Sequence, residues 1–168
     1  MGFRLRDWVR RTRRGAWTKR GTWSLETHGG SRAALQHGGG VFSPGTLRVT
    51  VEQVGAGAKE WHVKLVQRGY GVVAGCRYSV RFRARAGEPR PVGCAVGHDH
   101  EPWEAVGDYH EHVVTTEWTT FEGEFTAMTS DPSCRLFFDF ARSTAWVELT
   151  DVVLRDQTHR RDLSPSRP

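Results

Sequence analysis

Two runs decide how this chain folds. They are Trp61-His62-Val63-Lys64-Leu65-Val66-Gln67 and Cys76-Arg77-Tyr78-Ser79-Val80-Arg81-Phe82-Arg83-Ala84-Arg85-Ala86, joined by Arg68-Gly69-Tyr70-Gly71-Val72-Val73-Ala74-Gly75. In the second run Tyr78, Val80, Phe82, Ala84 and Ala86 share one parity, and Arg77, Ser79, Arg81, Arg83 and Arg85 the other. A period of two over this length describes a half-buried antiparallel strand. A helix would set Arg81 and Phe82 about 100° apart and leave no apolar stripe. The first run alternates in the same way, with Trp61, Val63 and Leu65 on its apolar face, and the Gly-rich segment reads as the connection.

Working outward, Leu47, Val49 and Val51 alternate with polar residues and form another strand. Shorter strands are expected at 31–36, 92–96, 112–116, 119–126, 135–140 and 145–154, with Asp131-Pro132-Ser133 as a turn and no convincing helix in the domain. His98 to Tyr109 lacks periodicity, and irregular segments of this length in compact domains are often functional. The expected fold is all-β: two antiparallel sheets of about ten strands in total. The expected domain spans 16–156, between a basic tail at 1–15 and a disordered polar tail at 157–168.

Composition agrees. With 168 residues the chain can bury one real core, and its 19 glycines suit a protein with many turns. Of the net +5 charge, residues 1–14 account for all: six Arg stand against Asp7, and the rest balances at 18 against 18. A basic groove for nucleic acid is therefore not expected. No run approaches the ~20 apolar residues of a membrane-spanning helix. The basic start lacks the apolar region of an ordinary secretory signal. Cys76, Cys94 and Cys134 have no metal-ligand spacing; free buried thiols are favoured, although one disulfide is geometrically possible.

The pieces also resemble a family in their order. A Trp-led strand, a Gly, and Tyr78-Ser-Val-Arg-Phe-Arg-Ala-Arg-Ala86 come first. Pro91 to Gly97 followed by Trp103 come next, then Glu117-Trp118 with Phe121 and Phe125. Arg135-Leu-Phe-Phe-Asp-Phe140 and Val147-Glu-Leu-Thr-Asp-Val-Val-Leu154 complete the series. Together, over roughly 23–155, they resemble the CenC-type carbohydrate-binding modules, which span families 4, 9, 16 and 22. The resemblance implies a galactose-binding-like jelly roll. It also implies non-catalytic binding of polysaccharide or oligosaccharide, as a targeting module of an attached or partner glycoside hydrolase, and an extracellular setting. The alternative is a jelly-roll protein-interaction or structural domain that has lost its sugar site.

Candidate sugar contacts follow. By the resemblance, Trp103 matches an aromatic platform, and aromatic rings pack against the C–H faces of sugars. Arg135, Phe137 and Asp139 share a strand face opposite Leu136, Phe138 and Phe140 and supply donors and acceptors. Family 4 modules carry polar residues, often Gln, at the positions matching Arg135 and Asp139. Charges there bring acidic or amino sugars into consideration. His62, Lys64, Gln67 and Arg68 are weaker candidates.

The resemblance further implies Asp151 as ligand to a structural Ca²⁺. Its usual partner is an acidic residue in an N-terminal Phe-Glu-like motif, for which Glu26 is a poor substitute. No other cofactor is expected. His98, Asp99, His100, Glu101, Asp108, His110, Glu111 and His112 cluster in sequence. His110 and His112 at i and i+2 suit a transition metal, with His98 or His100 across the loop. Without a fixed spacing the group reads first as solvated loop residues. Catalysis has little support: Glu122, Glu124 and Glu148 are the carboxylates available for a glycosidase pair, and no nucleophile elbow or phosphate loop occurs.

Overall fold

The computed structural model describes residues 22–38 and 45–158. The basic segment 1–15 and most of the C-terminal tail lie outside the described residues. Ten strands run in the order β1 (Trp23–Thr27), β2 (Arg32–His37), β3 (Leu47–Gln53), β4 (Val63–Val72), β5 (Arg77–Ala86), β6 (Arg90–His98), β7 (His110–Val114), β8 (Thr119–Thr126), β9 (Asp131–Asp139) and β10 (Val147–Asp156). They form two antiparallel five-stranded sheets. The front sheet has the order β1-β4-β9-β6-β7 and the back sheet β2-β3-β10-β5-β8. This is the expected jelly-roll β-sandwich.

The core lies between the sheets and follows the two-residue period. Tyr78, Val80, Phe82, Ala84 and Ala86 of β5 are buried against Leu136, Phe138 and Phe140 from the opposite sheet. Phe82 meets Phe138 edge-on, with centroids 4.9 Å apart. Arg90 and Glu148 are the most deeply buried charged side chains among the described residues. The Arg90 guanidinium donates to the carbonyls of Ser143 (3.0 Å), Ala145 and Phe140, and burial lowers its pKa to about 10. Glu148 accepts from Arg48 Nη2 (2.8 Å) and Arg85 Nε (2.6 Å) across three strands of the back sheet.

Several boundaries differ from expectation. Trp61 does not start a strand; it sits in a 3₁₀ turn, Glu60–His62, before β4. The Gly-rich segment is not all connection, because β4 continues through Tyr70-Gly71-Val72 by way of two irregularities in its pairing with β9. Asp131-Pro132-Ser133 opens β9 instead of turning. Gln157 is still packed, with its N–H on Arg77 O (2.7 Å) and its amide on Ser79 Oγ (2.7 Å). The three cysteines are free, with Cys94 and Cys134 buried.

Candidate functional site

The site is built on the outer face of the front sheet. Along β4, Val63 and Leu65 enter the core, so Lys64, Val66 and Arg68 face outward. Register places Lys64 beside Asp139, Val66 beside Phe137 and Arg68 beside Arg135 on β9. β1 adds Glu26, paired with Lys64. An outer face should be wet, yet Lys64, Arg135, Phe137 and Asp139 are all buried. Val66, Ala95 and Phe137 form an apolar cluster separate from the main core, with Ala105 against it. The segment after β6 folds back over this face, through His98 N–H on Glu104 O (3.0 Å) and Val106 N–H on Val96 O (2.9 Å).

The charges on this floor are organised in two groups. Glu26 receives Arg135 Nη1 at 3.2 Å and the Arg68 guanidinium; Arg68 also donates to Ser24 Oγ (2.9 Å) and Asp99 Oδ1 (3.1 Å). Lys64 Nζ stands 3.3 Å from Asp139 Oδ1 and 3.7 Å from the centroid of Phe137. Tyr109 donates to Asp139 Oδ2 at 3.2 Å. Burial lowers the Lys64 pKa in spite of Asp139, and burial raises the Asp139 pKa in spite of Lys64. Desolvation thus outweighs attraction on both sides of the pair. The Lys64 contact lacks hydrogen-bond directionality, and both Asp139 Oδ1 and Arg135 Nε are buried without a hydrogen-bond partner.

Above this floor is a cleft of about 580 Å³ lined by Glu26, His28, Trp61, Lys64, Arg68, Trp103 and Arg135. Trp103 is 49% exposed and Trp61 42%, high values for the largest apolar side chain. The Arg135 guanidinium lies 4.9 Å from the Trp103 ring centroid. Trp103 has φ +63°, a region costly for a bulky residue. Its N–H is held by His100 O at 2.8 Å. Backbone strain of this kind clusters at ligand-binding and active sites.

Of the residues singled out in the sequence, Trp103, Arg135, Lys64 and Arg68 line this cleft. Phe137 and Asp139 lie beneath it and orient Lys64. Two do not reach it. Gln67 has the parity of Val63 and Leu65 and takes a hydrogen bond from Tyr70 in the interior. His62 packs behind the rim, against Trp61 (centroids 4.3 Å) and beside Gly29. Asp151 lies in the bulge of β10 in the back sheet, 67% exposed at its side chain and 4.0 Å from Arg83. Glu26 is on the other sheet and committed to two arginines, so it is not brought beside Asp151.

The histidines also group differently from expectation. His110 is bonded to Glu124 O (2.9 Å) and His112 packs on Phe82 and Phe121, while His98 and His100 converge on Asp131. Sequence reasoning missed Trp61, Glu26 and His28 as cleft residues.

The sandwich that carries this cleft has known counterparts. The family model described as carbohydrate binding domain (CBM4/9) matches residues 15–144. The chain belongs to this carbohydrate-binding family. The module is similar in structure to a CBM4 structure, with TM-score 0.69 and 23% identity over 80% of this chain and 86% of that one. It is also similar to the N-terminal cellulose-binding domain of Cellulomonas fimi β-1,4-glucanase C. There the TM-score is 0.58 and identity 26%, over 80% of this chain and 88% of that one. The CBM22-1 xylan-binding domain of Paenibacillus barcinonensis Xyn10C aligns with TM-score 0.54 and 13% identity, over 84% and 92%. No curated protein sequence matches the module. Among the described residues no helix is long and apolar enough to cross a membrane.

Proposed function

We propose that this carbohydrate-binding module takes a polysaccharide chain into the Trp61–Trp103 cleft and serves, without catalysis of its own, to hold an attached or partner glycoside hydrolase on its substrate. The observation that carries this is the pair of half-exposed tryptophans flanking a buried charged floor. Ring faces of Trp61 and Trp103 offer the apolar surface that sugar C–H faces need, and Glu26, Arg68, Lys64 and Arg135 offer hydroxyl partners. The Arg135 guanidinium lines the cleft 4.9 Å from the Trp103 ring centroid, and its Nε has no partner within the protein. Neutral β-1,4-glucan and xylan, bound by the similar domains, are the first ligands to test, and acidic and amino sugars follow from the charged floor. The absence of catalysis is supported by the carboxylates first weighed for hydrolysis. They stand on the back sheet, with Glu148 held between Arg48 and Arg85 and Glu124 paired with Arg77 (2.8 Å).

Native affinity electrophoresis through gels of β-glucan, xylan, mannan, chitosan or pectin tests this. The protein is expected to be retarded by at least one polymer. Trp103→Ala loses about 2 kcal/mol of binding, about 30-fold, as buried aromatic anchors do. Retention of full affinity by both Trp103→Ala and Trp61→Ala, or no retardation of folded protein by any polymer, refutes the cleft.

A further inference from the structure

Outside the cleft lining, two imidazoles and one carboxylate meet where β6 ends and β9 begins. One ligand atom each from His98, His100 and Asp131 lies within 4.8 Å of the others. Asp131 Oδ2 is the shared atom, 2.9 Å from His100 Nε2 and in contact with His98 Nδ1. The other carboxylate oxygen is already occupied by Ser133 N–H at 2.8 Å. His100 Nδ1 lies 2.7 Å from Glu101 O and Nε2 lies 2.9 Å from Asp131 Oδ2, so both ring nitrogens face acceptors and an entering metal ion displaces the proton on Nε2 while Glu101 O keeps the one on Nδ1. Outer contacts of this kind orient the ligands of metal sites. Asp131 is buried, while the His100 side chain is 51% exposed, which leaves a side open to water.

We propose that His98, His100 and Asp131 form a site for a divalent transition metal of the zinc class. Two nitrogens and one carboxylate match the borderline-soft donors such ions take, with water completing a tetrahedron; Ca²⁺ and Mg²⁺ prefer oxygen alone. The metal clamps the base of the loop that bears Trp103. His100 O holds Trp103 N–H, and Asp99 between the two histidines holds Arg68 of the cleft. Only this effect on Trp103 rests on the sugar-cleft reading; the metal site stands without it.

The test uses untagged protein, stripped with chelator and titrated with ZnCl₂ by calorimetry, with bound zinc counted by plasma mass spectrometry. One equivalent is expected. His98→Ala and His100→Ala each weaken uptake by at least about 100-fold, since even outer-shell partners are worth 10–100-fold; His110→Ala leaves it unchanged. His100 is exposed enough for its variant to fold, which thermal melting checks. Zinc should also slow amide exchange over 99–105 in the parent and not in His100→Ala. Substoichiometric zinc, or full uptake by both His98→Ala and His100→Ala, overturns the site. Stoichiometric zinc with unchanged exchange overturns the clamp. Loss of sugar binding in any polymer test leaves the zinc count untouched, so the two readings fail separately.

Discussion

Glu26 receives two arginines, and burial, not proximity, should decide which contact matters. Arg135 Nη1 is 3.2 Å away on a side chain only 7% exposed, whereas Arg68 makes the closer contact from a side chain 45% exposed. At an effective dielectric of about 20, a unit pair at the Arg135 distance attracts by about 5 kcal/mol, and desolvation takes back several. A coupling of about 2 kcal/mol should remain between Glu26 and Arg135. For Arg68, solvent and salt hold the coupling below about 1 kcal/mol. Two double-mutant cycles resolve the pairs, Glu26→Ala with Arg135→Ala and Glu26→Ala with Arg68→Ala, read by urea unfolding. With a slope of about 1–3 kcal/mol per molar urea, 2 kcal/mol moves the midpoint by roughly 1 M. The cation–π contact of Arg135 with Trp103 is lost with and without Glu26 and cancels in the cycle. Equal couplings, or a larger one for Arg68, would refute the argument from burial.

Lys64→Met removes the cation beside Asp139, so the already raised Asp139 pKa should rise further, as a carboxyl carbon NMR titration would show. A carboxyl whose folded pKa is raised penalises the fold above that pKa, and the penalty lifts as pH falls toward 3.8. The variant should therefore gain more stability than the parent on acidification from neutrality. Arg90→Met leaves the carbonyls of Phe140, Ser143 and Ala145 without their donor and should cost about 3–5 kcal/mol in urea unfolding; a loss under 1 kcal/mol would contradict it. Gly93→Ala and Gly55→Ala should differ. A Cβ at Gly93 meets the Tyr109 hydroxyl at 1.7 Å, the movable end of a partly exposed side chain. A Cβ at Gly55 meets Gly29 O of the backbone at 1.8 Å. Gly93→Ala should lower the melting temperature less than Gly55→Ala, because the Tyr109 ring can swing outward, at the cost of its bond to Asp139, whereas the Gly29 backbone cannot give way.

The sheets were legible because strand parity needs only local sequence. Tyr78 to Ala86 and Leu136, Phe138 and Phe140 declare their faces by period two, and the structure buries them accordingly. Parity also placed Arg135, Phe137 and Asp139 together, but nothing local tells a wet outer face from a covered one. Their burial depends on the segment after β6 folding back. Trp61 and Gln67 failed for a related reason. The 3₁₀ turn breaks the alternation before Val63, so Trp61 leaves the core face, whereas Gln67 keeps the parity of Leu65 and takes Tyr70 as its partner. Glu26 joined the site through β1 pairing with β4, and His28 through its N–H on His62 O (2.8 Å), contacts between residues far apart in sequence. His98 and His100 found Asp131 through the β6–β9 register, which no spacing rule anticipates.

The two sheets treat buried charge differently, and the difference argues for a ligand at the front. On the back sheet, Glu148 takes hydrogen bonds from Arg48 and Arg85. On the front sheet, Lys64 and Asp139 stay mismatched in geometry, burial opposes both charges, and Arg135 Nε has no partner. Replacing such groups with apolar residues of similar volume is often neutral or stabilising by about 1–4 kcal/mol, so folding alone gives no reason to keep them. A polysaccharide that draws the Arg135 guanidinium toward the cleft it lines would give Nε the acceptor it lacks, and Asp139, beneath the cleft, would feel the ligand through Lys64. Incomplete pairing in the free protein would then favour a ligand that completes it. The same polar atoms, left unpaired by a wrong ligand, would discriminate against it.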